Sequence, residues 1–164
     1  MEQKNIYSFS QIEDKVKALH ETNTEAAAAV ALSWLGLSRD ELKTLRISDY
    51  NSAMRMLHTA GRVVYVREDT IADMLKGICE KAPEYSMGFF ITDVNSAYEA
   101  AEKQGLSPIS VLKMRYFYEK HSAKRSGEPE DRVFLKEILR SIGESEADME
   151  KQFAEYENGA PEII

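Results

Sequence analysis

Residues 26–35, Ala-Ala-Ala-Ala-Val-Ala-Leu-Ser-Trp-Leu, are apolar at almost every position and leave no polar face for water. A helix of that kind is buried on all sides. The near-apolar run from Ala26 to Leu37 is interrupted by Ser33 and Gly36, and it falls short of the ~20 residues a bilayer span needs. The rest of the chain is therefore expected to wrap around it as a single domain, residues 1–164. That length buries a real core without disulfides or metals. Thr22 with Glu25 predicts the start of the helix. Gly36 suits the left-handed residue that closes it, and Ser38 with Glu41 makes a capping box that opens a second helix reaching about Asp49. Leu42 and Leu45 return that second helix to the core.

Around this centre the pattern is mostly helical. Ser10 with Glu13 predicts a cap for a short helix carrying Ile12, Val16 and Leu19. Two strands are expected at 54–57 and 62–66 around a hairpin loop at 58–61, and a third at 87–91. Thr70 with Asp73 predicts a cap for a helix whose apolar stripe is Ile71, Met74, Leu75, Ile78 and Cys79, which makes Cys79 a core residue. A helix from about Asp93 closes on Gly105, and Ser107-Pro108 begins another that runs to about His121. Residues 122–129 read as an exposed basic loop. Helices from Pro129 to Ile142 and from Ser145 onward follow, the last burying Met149, Phe153 and Tyr156. The core spans about 8–157, and 158–164 is expected to be a mobile tail. The fold class is α+β, mostly helical, with a small three-stranded sheet.

One cysteine and three scattered histidines give no disulfide and no metal-ligand spacing, so no cofactor or metal is implied. The first residues lack the apolar segment of a signal peptide, so the expected location is cytoplasmic. Net charge is −7, which argues against indiscriminate nucleic-acid binding. Charge is uneven, however. Residues 107–126 hold five basic residues and one acid, whereas 127–164 hold four basic and 11 acidic.

Three segments occur in a telling order. Trp34-Leu-Gly-Leu-Ser-Arg-Asp-Glu-Leu leads into Leu45-Arg-Ile-Ser-Asp-Tyr. Gly105-Leu-Ser-Pro is followed by Leu112-Lys-Met-Arg115-Tyr, and Leu139-Arg-Ser-Ile-Gly143-Glu-Ser precedes a tyrosine-bearing helix. Together they resemble the catalytic domain of tyrosine recombinases (phage integrases) over residues 8 to 157. The resemblance implies helices around a small three-stranded antiparallel sheet. It also implies a tyrosine nucleophile, two arginines that stabilise the phosphorane-like charge, a lysine on the hairpin, and His-type residues for proton transfer.

Position by position, little of that set is present. Ser38 stands where the first arginine belongs, and the adjacent Arg39 is turned by roughly 100° around a helix. Leu112 stands where a histidine belongs, three residues before Arg115. Glu144 follows Gly143 in place of a hydrogen-bond donor. Phe153 stands at the expected nucleophile position, with Tyr156 about one turn later, and the hairpin contains no lysine. Arg115 alone matches. Loss of even one charge-stabilising donor costs about 3 kcal/mol, so the chain is expected not to be an enzyme.

The resemblance then implies a non-catalytic integrase-fold DNA-binding regulator of phage or mobile-element origin, similar to integrase-fold phage repressors. The separate N-terminal helical domain of the family is expected to be lacking. Candidate nucleic-acid-binding residues are Lys113, Arg115, Lys120, His121, Lys124 and Arg125, facing double-stranded DNA through its phosphates. The alternative is a protein-interaction module, acting on a partner or as a homodimer through its acidic C-terminal helices, with no membrane contact. Locally, Arg39, Lys43 and Arg46 also fit a helix-turn-helix, although Asp40 and Glu41 sit at its start.

Overall fold

The structure is a computed structural model that describes residues 8–59, 61–81 and 88–157, with the backbone alone for 156 and 157. A 3-10 turn at Phe9–Gln11 precedes α1 (Glu13–Thr22) and α2 (Thr24–Trp34). Helix α3 (Arg39–Thr44) leads through a 3-10 turn at Ile47–Asp49 into β1 (Tyr50–Asn51), β2 (Met56–Thr59) and β3 (Arg62–Tyr65). Helices α4 (Asp69–Lys81), α5 (Val94–Lys103), α6 (Pro108–Ser126), α7 (Arg132–Ile142) and α8 (Glu146–Glu157) complete the chain. The fold is thus mostly helical α+β, and among the described residues the strands form one antiparallel sheet in the order β1-β2-β3.

Helix α2 is the hub. Every residue from Ala26 to Trp34 is buried, and α1, α5 and α6 pack directly on it. Its run of alanines lets three neighbours approach one axis, which bulkier side chains would hold apart. Ser33 keeps its hydroxyl satisfied by donating to the Ala29 carbonyl at 2.7 Å. The C-terminal end is a full Schellman closure: Gly36 N–H donates to the Ser33 carbonyl and Leu37 N–H to that of Leu32. Gly36 holds φ +93, and a Cβ there would sit 3.0 Å from the Phe134 ring. At Ser38 the capping box is complete, with Glu41 N–H donating to Ser38 Oγ and Ser38 N–H to Glu41 Oε1.

Several expectations need correction. Ser10 caps nothing, since its hydroxyl bonds Ser8 and α1 begins after Ile12 with no side-chain cap. Asn23, not Thr22, caps α2, leaving Glu25 to accept from Thr92. Thr70 lies inside α4, which already begins at Asp69. Helix α3 stops at Thr44 because Leu45 and Ile47 instead exchange backbone bonds with Phe90 and Gly88. That pairing is an isolated bridge, Arg46 to Phe89, so the segment expected as the third strand stays outside the sheet; Met87 lies outside the described residues. The third strand is Tyr50–Asn51, paired with Leu57 and Met56. On the hairpin, Thr59 pairs with Arg62 and Gly61 between them takes φ +76, which draws His58 and Thr59 into the strand.

The basic segment 122–129 is not a loop in its first half. Helix α6 continues to Ser126 and closes on Gly127 at φ +74. Nothing before Gly127 breaks the helix, and Lys124 and Arg125 favour its negative C-terminal end. Helix α7 starts later than Pro129, at Arg132, with Asp131 accepting from Phe134 N–H. Cys79 is half-buried against the core, where burial pushes its thiol pKa up. Met149 and Phe153 are buried as expected, while the Tyr156 ring and the tail from 158 lie outside the described residues. Among the described residues no helix is long and apolar enough to cross a membrane.

Gly36→Ala imposes a side chain on a left-handed backbone and drives it against Phe134. The expected loss is about 2 kcal/mol in urea-denaturation stability; a change under about 0.5 kcal/mol would contradict the closure described.

Candidate nucleic-acid interface

The continuation of α6 places all six candidate residues on one helix, with Lys113, Lys120 and Lys124 at i, i+7 and i+11 along one face. That face is met by acids. Lys113 Nζ lies 2.8 Å from Glu144 Oε1, and this bond, with a weaker one from Gln152, holds the Glu144 carboxyl below its ordinary pKa despite partial burial. Lys120 Nζ sits between Glu150 and Glu130, the latter at 3.0 Å, and over the rings of Tyr116 and Phe153. Burial alone would lower the Lys120 ammonium, but the two carboxylates outweigh it and raise it. Tyr116 Oη donates to Glu150, and burial together with that neighbouring charge pushes the phenol far above its ordinary range. His121 is half-buried, whereas Lys124 and Arg125 are exposed at the end of the helix.

Arg115 faces the other way, towards the hub. Its Nε donates to Glu119 and its Nη1 to the Trp34 carbonyl, both at 2.8 Å. The guanidinium lies 5.2 Å from the Trp34 ring centre and 4.9 Å from that of Phe134. Trp34 is the last residue of α2, so its carbonyl has no partner within the helix, and a cation there also answers the helix dipole. Arg62 on β3 repeats the device one turn on. Its Nη2 donates to the Gly36 carbonyl at 3.1 Å and to both Glu41 oxygens, with Nε reaching Oε2 at 3.3 Å. Thr59 adds its hydroxyl to the same carboxylate. Burial alone would raise the Glu41 pKa, yet the bonds from Arg62, Ser38 and Thr59 bring it below the ordinary value.

Between β3 and the α6–α7 pair lies an open cleft of about 240 Å³. Arg62, Arg67 and Arg115 line it together with Glu119, Asp131 and Glu137, and Val63, Tyr65 and Val133 form its apolar rim. Among the described residues neither a lysine nor a histidine lines it. Arg39, beside the first-arginine position, is instead bonded to Asn95 and stacked over Tyr98. Ser38 is committed to its cap, Leu112 is fully buried, and Glu144 is paired to Lys113. Helix α3, at six residues, spans about 9 Å, too short for a recognition helix lying in a major groove.

Of the six candidates, the cleft takes only Arg115; the others belong to the far face or the end of α6. Arg62 and Arg67 were not singled out from the sequence. The one signal for Arg62 was its place on the inward-facing register of a strand, opposite a capping glutamate. Arg67, exposed just beyond β3, carried none.

No protein-family model matches the chain, and no curated protein matches it. Among solved structures the chain is similar to one described as the crystal structure of XerA recombinase, with a TM-score of 0.56 and 14% identity. The match covers 95% of this chain and 65% of that one, so the chain spans about two thirds of that recombinase's length. At this identity the likeness establishes the fold: an integrase-type arrangement of helices around the small sheet.

Glu41→Ala leaves Arg62 with an uncompensated charge and removes half of the capping box, for an expected loss of about 3–4 kcal/mol. A carboxyl with a depressed folded pKa stabilises above its unfolded pKa and loses that contribution as pH falls through the folded value. Wild-type stability is therefore expected to drop as pH is lowered below about 4.5, and Glu41→Gln should flatten that part of the profile. Equal acid sensitivity in thermal melts of both proteins would refute the assignment to Glu41.

Proposed function

We propose that this chain is a non-catalytic integrase-fold protein that binds duplex DNA and acts as a regulator, of phage or mobile-element origin. The observation that carries the reading is the cleft: Arg115, locked by Glu119, the Trp34 carbonyl and two aromatic rings, stands with Arg62 and Arg67 beside an open groove. A guanidinium fixed in place before an anion arrives loses little freedom on binding and suits bidentate contact with phosphate. Phosphoryl transfer needs more than that. It requires a positioned nucleophile and a proton donor as well as charge stabilisation, and among the described residues neither a lysine nor a histidine lines this cleft. Phosphate contact without those groups positions DNA and leaves it intact.

Arg125 at the exposed end of α6 and Arg67 at the cleft extend the contact in two directions. Both are better test positions than Lys120, whose reversal would break its bonds to Glu130 and Glu150 whether or not DNA binds. A second reading, a protein-interaction module, draws on the apolar rim, where Val63, Tyr65 and Val133 are 42%, 60% and 75% exposed. Isolated exposed side chains are ordinary, but three around one groove suit a protein partner.

Fluorescence anisotropy on duplex DNA, both random and flanking its own gene, separates the two. At about 50 mM salt the DNA reading expects saturable binding with a negative slope in log salt. Arg67→Glu with Arg125→Glu should weaken it at least about tenfold, since two phosphate contacts become repulsive. No binding on any duplex would rule it out, whereas Val133→Asp affecting only a protein partner would favour the second reading. On a nicked duplex no covalent adduct is expected; an adduct that Tyr156→Phe abolishes would overturn the absence of catalysis.

A further inference from the structure

We propose that α8, with the turn leading into it, is an internal carboxylate latch that holds the phosphate-binding lysines of α6 and is displaced when duplex DNA docks on them. The proposal rests on the DNA-binding reading above and concerns how the same helix is regulated.

The two elements match charge for charge. Lys113 and Lys120 lie two turns apart on α6, and their partners Glu144 and Glu150 lie six residues apart across the turn into α8 and its first half. Each lysine meets a carboxylate in a charge-assisted bond of the kind a phosphate oxygen would make. Exchange of one anion for the other keeps both ammonium groups satisfied and returns Glu144 and Glu150 to water, at the cost of exposing Met149 and Phe153. The acids are placed for that return, because Glu144 and Glu150 remain 30% and 43% exposed while their lysines are more covered. Tyr116 also donates to Glu150, so a phosphate arriving at Lys120 competes with a carboxylate that also fixes a core ring.

The apolar hold on α8 is shallow. Met149 and Phe153 are its buried side chains among those described, with the Phe153 ring 5.8 Å from that of Phe117. A helix held, among its described side chains, by Met149, Phe153 and partly exposed ion pairs opens at lower free energy than the core. Helix α2, in contrast, is buried at every residue from Ala26 to Trp34. Ion pairs between α6 and α8 thus supply much of the docking specificity, and a polyanion weakens that specificity directly. The overall charge of −7 does not prevent this, because the local repulsion is carried by the residues that move away.

The test uses the full chain and a random duplex of about 30 base pairs. Glu144→Gln with Glu150→Gln keeps shape, frees Lys113 from its carboxylate and leaves Lys120 with Glu130 alone, and Glu102→Gln with Glu155→Gln removes the same charge from exposed positions. The latch variant should bind at least about threefold more tightly than the control pair, with its log-salt slope steeper by about 1, for the counterion of the freed Lys113. Adding Lys113→Met and Lys120→Met should cancel both effects. In hydrogen exchange, DNA at saturation should deprotect α8 and protect α6 in the wild type. Equal affinity and slope for the latch and control pairs, or α8 that stays protected in the bound state, overturns the latch. If wild-type binding is weakened by Arg67→Glu with Arg125→Glu but unchanged by the latch pair, the latch fails while DNA binding stands. If no protein binds, the latch pair included, both fail.

Discussion

A helix with no solvent-facing side forces the design of everything around it. Helix α2 takes α1, α5 and α6 against its alanine-rich surface, and its C-terminal carbonyls emerge inside the molecule, where water cannot satisfy them. Buried carbonyls need donors. The Schellman bonds of Gly36 and Leu37 take two of them, Arg115 takes Trp34, and Arg62 takes Gly36. The cleft therefore exists where it does because two guanidiniums are needed to end α2, and the sheet and α6 are the elements that deliver them.

Net charge is a poor guide to what such a surface presents. The basic island on α6 and the acids beyond it are separated in sequence but meet in space, Lys113 with Glu144 and Lys120 with Glu130 and Glu150. Their opposed fields largely cancel at long range, which weakens electrostatic steering. What is exposed is local: Arg67 at the cleft and Arg125 at the end of α6.

The sequence was most legible where one residue type admits one geometry. Gly36, Ser38 with Glu41, Ser107-Pro108 and Gly143 marked ends that the backbone adopts. Caps were least legible where neighbours compete: Asn23 displaced Thr22, and Ser10 bonded Ser8 instead of a helix end. The length of α3 and the third strand depended on a pairing 43 residues apart in sequence, Arg46 with Phe89, which no local pattern encodes. Likewise the basic character of α6 is legible in its five Lys/Arg residues, but their partners are not. Glu144, Glu150 and Glu130 come from separate segments, and only packing brings them to α6.

Taken alone, an arginine at a family's catalytic position suggests retained chemistry. At Arg115 the Trp34 bond and the two ring contacts hold α6 to α2 and α7, while the Glu119 bond lies within α6. Removing it would leave the Trp34 carbonyl and Glu119 without that donor, a structural loss that follows whether or not any phosphate is bound. The fold alone is sufficient reason for this arginine, so its presence is no evidence for a reaction. Evidence has to come from groups the fold does not need. Arg67 is such a group, exposed at the cleft and absent from the hydrogen bonds that close α2.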